Sequence, residues 1–145
     1  MLIISHRGNL EGSDKSIENL PEQIDKVISL GFDVEVDLRV NQGLFWLGHD
    51  EPQYQINGNW LKERASNLWI HCKNTEALSA AASLQDIHYF WHQTDTITLT
   101  SKNYLWAYPG KQPILNSIAV MPELYNDDIS NCIGVCSDYI KNYKA

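Results

Sequence analysis

No stretch of the 145 residues comes near the run of about 20 apolar residues that a membrane-spanning helix needs. Basic residues are scarce: eleven Lys and Arg stand against eighteen Asp and Glu, a net charge of -7. That excludes the broad basic face on which nucleic-acid and anionic-membrane binding depend, so a phosphate must be gripped by a few local cations. Cysteine is rare as well. Cys72, Cys132 and Cys136 form an odd set with neither metal-knuckle nor redox spacing, and they are expected to be reduced thiols in a cytoplasmic protein. Met1–Ile4 carries no basic segment and no apolar run of signal-peptide length. With no low-complexity run, charge block or Pro/Gly-rich linker, residues 1–145 read as a single domain. Length adds a limit: a (β/α)8 barrel with all its helices takes about 250 residues.

What is present is a series of short apolar segments separated by turn chemistry. They are Leu2–Ser5, Phe32–Leu38, Leu44–Leu47, Leu68–Cys72, Ile87–Trp91, Tyr104–Ala107, Ser117–Met121 and Cys132–Cys136. Several are near-continuous apolar runs, as expected for strands covered on both faces. After the first, the pattern predicts a helix with Asn19 as N-cap, Glu22 three residues on and Pro21 in the first turn. Ile24, Val27 and Ile28 form its apolar stripe, and Gly31 stops it. A second helix is predicted from about Asn74 to Leu84. After residue 85 the connections leave room for a turn or two of helix at most. Strand, helix, strand in this order predicts an α/β fold.

Four islands carry chemistry. His6-Arg7-Gly8 closes the first strand and joins a residue that exchanges protons near neutral pH to one that pairs with phosphate oxygens. Glu18-Asn19 opens the first helix, where Asn19 reads mainly as a cap and Glu18 reaches solvent or the mouth of a site. Glu35-Val36-Asp37 puts two carboxylates on one face of an otherwise apolar strand. Burying both is costly without a cation, and hard oxygen ligands at this spacing suit Mg²⁺ or Ca²⁺. Gly48-His49-Asp50 closes a strand that only Asn41-Gln42-Gly43 separates from its predecessor, too short for a parallel crossover. A hairpin with a three-residue loop then pairs Val40 with Leu44, Asp37 with Leu47 and Glu35 with His49, which sets a second histidine beside the carboxylates.

In order and approximate spacing, these islands resemble the glycerophosphodiester phosphodiesterase family, members of the phospholipase C-like phosphodiesterases. Leu68–Lys73 resembles that family's fourth strand, which ends in a lysine, and Ile133–Tyr139 its last. The resemblance implies a minimal TIM-like (β/α)8 barrel with several helices shortened or missing, whose exposed outer strand faces a homodimer partner would cover. It also implies a metal-dependent phosphodiester hydrolase acting on a glycerophosphodiester-like or sugar-phosphate diester. His6 and His49 would be general acid and base, Arg7 and Lys73 would hold the phosphate, and Glu35, Asp37 and Glu18 would attend a divalent metal. The partner would be a small-molecule phosphodiester, with no nucleic acid and no membrane. The family usually carries a glutamate two residues before the strand-4 lysine, where this chain has His71. On its alternating face His71 is placed to replace that ligand. Mg²⁺ or Ca²⁺ remains the expected ion, and the imidazole favours Mn²⁺ or Zn²⁺ more than usual, the alternative being weaker metal binding or none. The alternative is a phosphate-ligand binding module without catalysis, since binding needs no acid–base pair. His88 and His92 are assigned structural roles, at most one of them facing a pocket. Asp138 reaches either the site or a turn cap. Residues 85–130 show no motif.

Overall fold

The computed structural model describes residues 1–143. Its ten strands are β1 (Leu2–His6), β2 (Asp33–Asn41), β3 (Leu44–Leu47), β4 (Tyr54–Ile56), β5 (Leu68–Cys72), β6 (Tyr89–Phe90), β7 (Ile97–Leu99), β8 (Leu105–Ala107), β9 (Ser117–Val120) and β10 (Gly134–Ser137). Three short α-helices accompany them: α1 (Pro21–Ser29), α2 (Gly58–Glu63) and α3 (Thr75–Ser83).

The strands form one mixed sheet that curls on itself. Along its main path the order is β4-β3-β2-β1-β10-β9-β8-β7, while β5 joins the other edge of β2 and carries β6 beyond it. The pairs from β8 through β10, β1, β2 and β5 to β6 are parallel. β3, β4 and β7 pair antiparallel. The curl is drawn together where the Ser101 N–H donates to the Tyr89 carbonyl and Thr98 Oγ1 to the Trp91 carbonyl.

This corrects the expected (β/α)8 barrel, even a trimmed one. Strands and helices do not alternate: after α3 no α-helix follows among the described residues, only 3-10 turns at Pro122–Leu124 and Ile140–Tyr143. The reason is connection length. A parallel crossover needs a dozen or more residues, and the links at Gln42-Gly43 and between β7 and β8 are too short, so those strands return antiparallel. The exposed outer strand faces are also not found where β8, β9 and β10 lie side by side. Ala107, Ala119 and Val135, in register across those strands, are fully buried.

Strand alternation divides the apolar residues between two cores. Val34, Val36, Leu38 and Ile70 face out of the curl and pack against Ile24 and Val27 of α1 and Ala77 and Ala81 of α3. Ile4, Trp69, Phe90, Trp106, Ile118 and Cys136 fill the inside. α3 starts about where predicted and is capped by Asn74, whose side chain accepts from the Ala77 N–H at 2.9 Å. α1 is not: Leu20 occupies its cap position with no side-chain bond, and Asn19 is used elsewhere. All three thiols are free, and burial pushes Cys72 up to about 12. No helix among the described residues is long and apolar enough to cross a membrane.

A histidine is packed against the inner core. His88 packs tilted against Trp69, ring centroids 4.2 Å apart, and its Nε2 lies 2.6 Å from Thr100 Oγ1. Burial, then the charge of Lys102, depress it from 6.5 to about 4. Between those values the folded state binds fewer protons than the unfolded chain, so stability falls as the pH drops through that window. Melting temperatures measured from pH 7 to pH 4 are expected to fall more steeply for the wild type than for His88→Asn, which has nothing to titrate there. Parallel curves would remove His88 from the account.

Candidate metal and acid–base site

The curl has a cavity at the carboxyl ends of the parallel strands, where ligand sites in such sheets form. Register brings the polar residues together there: His6 of β1 lies beside Glu35 of β2, and Asp37 beside His71 of β5. His6, Arg7, Glu35, His49, His71 and Lys73 all line one cavity of about 550 Å³. Asp37 sits behind them, fully buried.

Glu35, Asp37 and His71 form a group that could hold a metal ion, each offering one donor atom, all within 4.8 Å of one another. His71 Nδ1 lies 3.4 Å from Glu35 Oε2 and 3.8 Å from Asp37 Oδ1. Glu35 Oε1 and Asp37 Oδ1 are buried without a hydrogen-bond donor. Unpartnered buried carboxylate oxygens on two residues of such a group are what a cation satisfies, so the residues fit a divalent ion. Burial raises both carboxyls. At Glu35 the neighbouring His71 and His6 rings, with the charge of Arg7, outweigh it and hold the group below the ordinary carboxylate range. Asp37, buried beside that charge, lies above its own ordinary value.

Asp37 is held by Asn19, the residue read as a helix cap. Asn19 Nδ2 donates to Asp37 Oδ2, and the Asp37 N–H donates to Asn19 Oδ1, both at 2.9 Å. The residue adopts φ 61°, a left-handed conformation that Asn tolerates better than most. Its backbone N–H donates to the carbonyl of Arg7, which has φ 59°. Two neighbouring left-handed residues at one site are backbone strain of the kind found where function constrains the chain.

Glu18 lies outside the metal-donor group. Its Oε2 accepts from Asn9 Nδ2 at 2.8 Å and from Ser13 Oγ at 2.9 Å, and its Oε1 lies 3.4 Å from Arg7 Nη1. Arg7 also sets Nε 3.1 Å from Asp37 Oδ2, off the line of a hydrogen bond. Its charge is thus committed largely to carboxylates of the protein, although its edge reaches the cavity.

His6 is oriented from behind. Its Nδ1 lies 2.7 Å from Asp138 Oδ1, which also accepts from Asn9 Nδ2 at 2.8 Å, so Nε2 is turned toward Glu35 Oε1 at 4.0 Å. Burial works against a charged ring, but Asp138 and Glu35 outweigh it and raise His6 above its ordinary value. Asp138 is correspondingly lowered: burial opposes this, but the His6 bond and charge and the Asn9 bond prevail.

His49 does not arrive as predicted. The hairpin loop has two residues, Gln42 and Gly43, with φ 51° and 76°, so Val40 pairs with Phe45 and Leu38 with Leu47. The slip of one residue removes the pairing of Glu35 with His49, and the Gly48 N–H donates to the Asp37 carbonyl instead. His49 reaches the cavity on the following loop, where Arg39 binds the carbonyls of both Gly48 and His49. A Cβ on Gly48 would lie 1.9 Å from the Glu51 carbonyl oxygen, so only glycine permits this turn. His49 is half-exposed, with Nδ1 2.7 Å from Asp50 Oδ1.

The far wall comes from the segment that shows no motif. His92, Gln93, Trp106, Tyr108, Pro109 and Met121 line it. His92 faces the cavity, whereas His88 lies in the inner stack away from it. Asn9 is the residue missed altogether. Fully buried, it ties Asp138 to Glu18, and its only sequence signal is its place three residues after His6.

Comparison with protein-family models, with curated proteins and with solved structures finds no match to this chain, and nothing in them identifies its family.

Proposed function

We propose that the protein is a metal-dependent phosphodiester hydrolase acting on a small glycerophosphodiester-like or sugar-phosphate diester. The observation that carries the reading is a pair of histidines sharing one cavity with the Glu35/Asp37/His71 group, one of them fixed by a buried carboxylate. A site for binding alone would need cations and the ion but no oriented acid–base pair.

The bound ion would offset phosphate charge and raise the acidity of the attacking oxygen. Lys73, with the edge of Arg7, holds the non-bridging phosphate oxygens. His49 takes the proton of the attacking hydroxyl as the new P–O bond forms. His6, hydrogen-bonded through Nδ1 to Asp138, gives the Nε2 proton to the leaving alkoxide as the old P–O bond breaks. Attack by water yields a phosphomonoester and an alcohol; attack by a neighbouring substrate hydroxyl yields a cyclic phosphate and the alcohol.

The test is a generic aryl phosphodiester incubated with protein stripped of metal and then with single divalent ions. Turnover that appears only with an ion supports the reading. Tight binding of glycerol phosphate without turnover under any ion replaces it with the phosphate-binding module.

A further inference from the structure

His71 can present only one nitrogen to the site. Its Nε2 lies 2.7 Å from the backbone carbonyl oxygen of His92, and a carbonyl only accepts, so Nε2 carries a hydrogen. Nδ1 is therefore the atom that faces Glu35 and Asp37. The ring has little freedom to turn away. It stacks on Phe90, centroids 4.8 Å apart and planes 23° apart, in the strand register that sets it beside Asp37. The turn supplying the carbonyl is braced in its own right, with His92 Nε2 2.7 Å from the Asp95 carbonyl oxygen. Across the gap, Glu35 Oε1 and Asp37 Oδ1 have no donor.

We propose that this centre is built for a divalent ion of the borderline class (Fe²⁺, Co²⁺ or Zn²⁺), taken through His71 Nδ1 and the two carboxylates, with the His92 carbonyl as the partner that fixes the ring. The proposal rests on the metal-dependent reading above and names the class of ion. Mg²⁺ and Ca²⁺ are held by oxygen ligands, whereas imidazole suits first-row transition ions. A ligating histidine that donates its other N–H to a backbone carbonyl is the usual outer arrangement of such sites. One nitrogen in place of a third carboxylate also leaves the centre less negative, which weakens the electrostatic hold on hard ions most.

The experiment titrates metal-free protein by calorimetry with Co²⁺, Zn²⁺, Mn²⁺, Mg²⁺ and Ca²⁺, alongside His71→Glu. Transition ions bind most sites more tightly than Mg²⁺, so the diagnostic quantity is the change in that preference. The ratio of Co²⁺ to Mg²⁺ affinity is expected to fall at least ~10-fold in His71→Glu. In the proton NMR spectrum of the Co²⁺ form, the Nε2–H of His71 is expected as an exchangeable, hyperfine-shifted signal that vanishes in D₂O. An unchanged ratio, or a Co²⁺ form lacking that signal, overturns the proposal. So does a wild type that binds no ion. If His71→Glu fails to fold, the NMR signal of the wild type decides. Mg²⁺ binding without His71, together with diester cleavage, sinks the ion class and leaves the function standing. Nδ1 ligation of Co²⁺ without cleavage of any diester does the reverse.

Discussion

Replacing His6 with alanine is expected to lower diester turnover by about 100- to 10,000-fold while leaving ion binding in place. The separation follows from geometry. His6 Nε2 is 4.0 Å from Glu35 Oε1 and contributes no atom to the Glu35/Asp37/His71 donor group, so its removal deletes a proton donor and not a ligand. Steady-state kinetics and calorimetric titration of the same preparation read the two effects independently. Asp138→Asn is expected to be milder: it keeps the volume but replaces the acceptor that orients the ring and stabilises its charge. Loss of ion binding in His6→Ala would mean that His6 belongs to the metal centre. Wild-type turnover in that variant would remove it from the chemistry.

Asn19→Ala is expected to cost at least about 3 kcal/mol of stability and to weaken ion binding as well. Two hydrogen bonds to Asp37 vanish, leaving a buried N–H and a buried carboxylate oxygen unpaired, at about 1–3 kcal/mol for such a group. Alanine at φ 61° adds about 1–2 kcal/mol of left-handed strain. Asn19→Gly removes the side chain without that strain, so the difference between the two variants in denaturant unfolding isolates the backbone part. Because Asp37 is then free to shift, both variants are expected to bind the ion less tightly than the wild type. Stability and ion affinity both at wild-type levels in Asn19→Ala would contradict the role given to this amide.

What could be read from residue order follows from how locally each feature is determined. Glu35 and Asp37 share a face because strand alternation is fixed at two residues, and that feature was legible without any partner strand. His71 on β5 and Lys73 just past its end follow from the same alternation. The hairpin register was not legible, because Gln42-Gly43 closes a two-residue turn that Asn-Gly or Asp-Gly would have advertised. Asn19 carries every mark of a cap, with Pro21 and Glu22 behind it. Its recruitment by Asp37 depends on β2 and on the left-handed turn at Arg7, neither of which leaves a local pattern. The strands Tyr54–Ile56 and Ile97–Leu99 have three residues each, too few for a period to show. The (β/α)8 barrel failed for a related reason: a resemblance concentrated in the first 50 residues says little about a chain that returns several strands antiparallel across short links. The far wall escaped because it is assembled from single side chains, such as His92, Tyr108 and Met121, on separate connections.

The most direct test follows turnover of an aryl phosphodiester and thermal stability together while one divalent ion is titrated into metal-free protein. One ion at the Glu35/Asp37/His71 group serving the His6–Asp138 acid predicts that both quantities rise and saturate at the same ion concentration, at one equivalent. Asp37→Asn is expected to shift both curves to higher concentration together. Turnover that survives full chelation, or that rises at a concentration unrelated to the gain in stability, would contradict it.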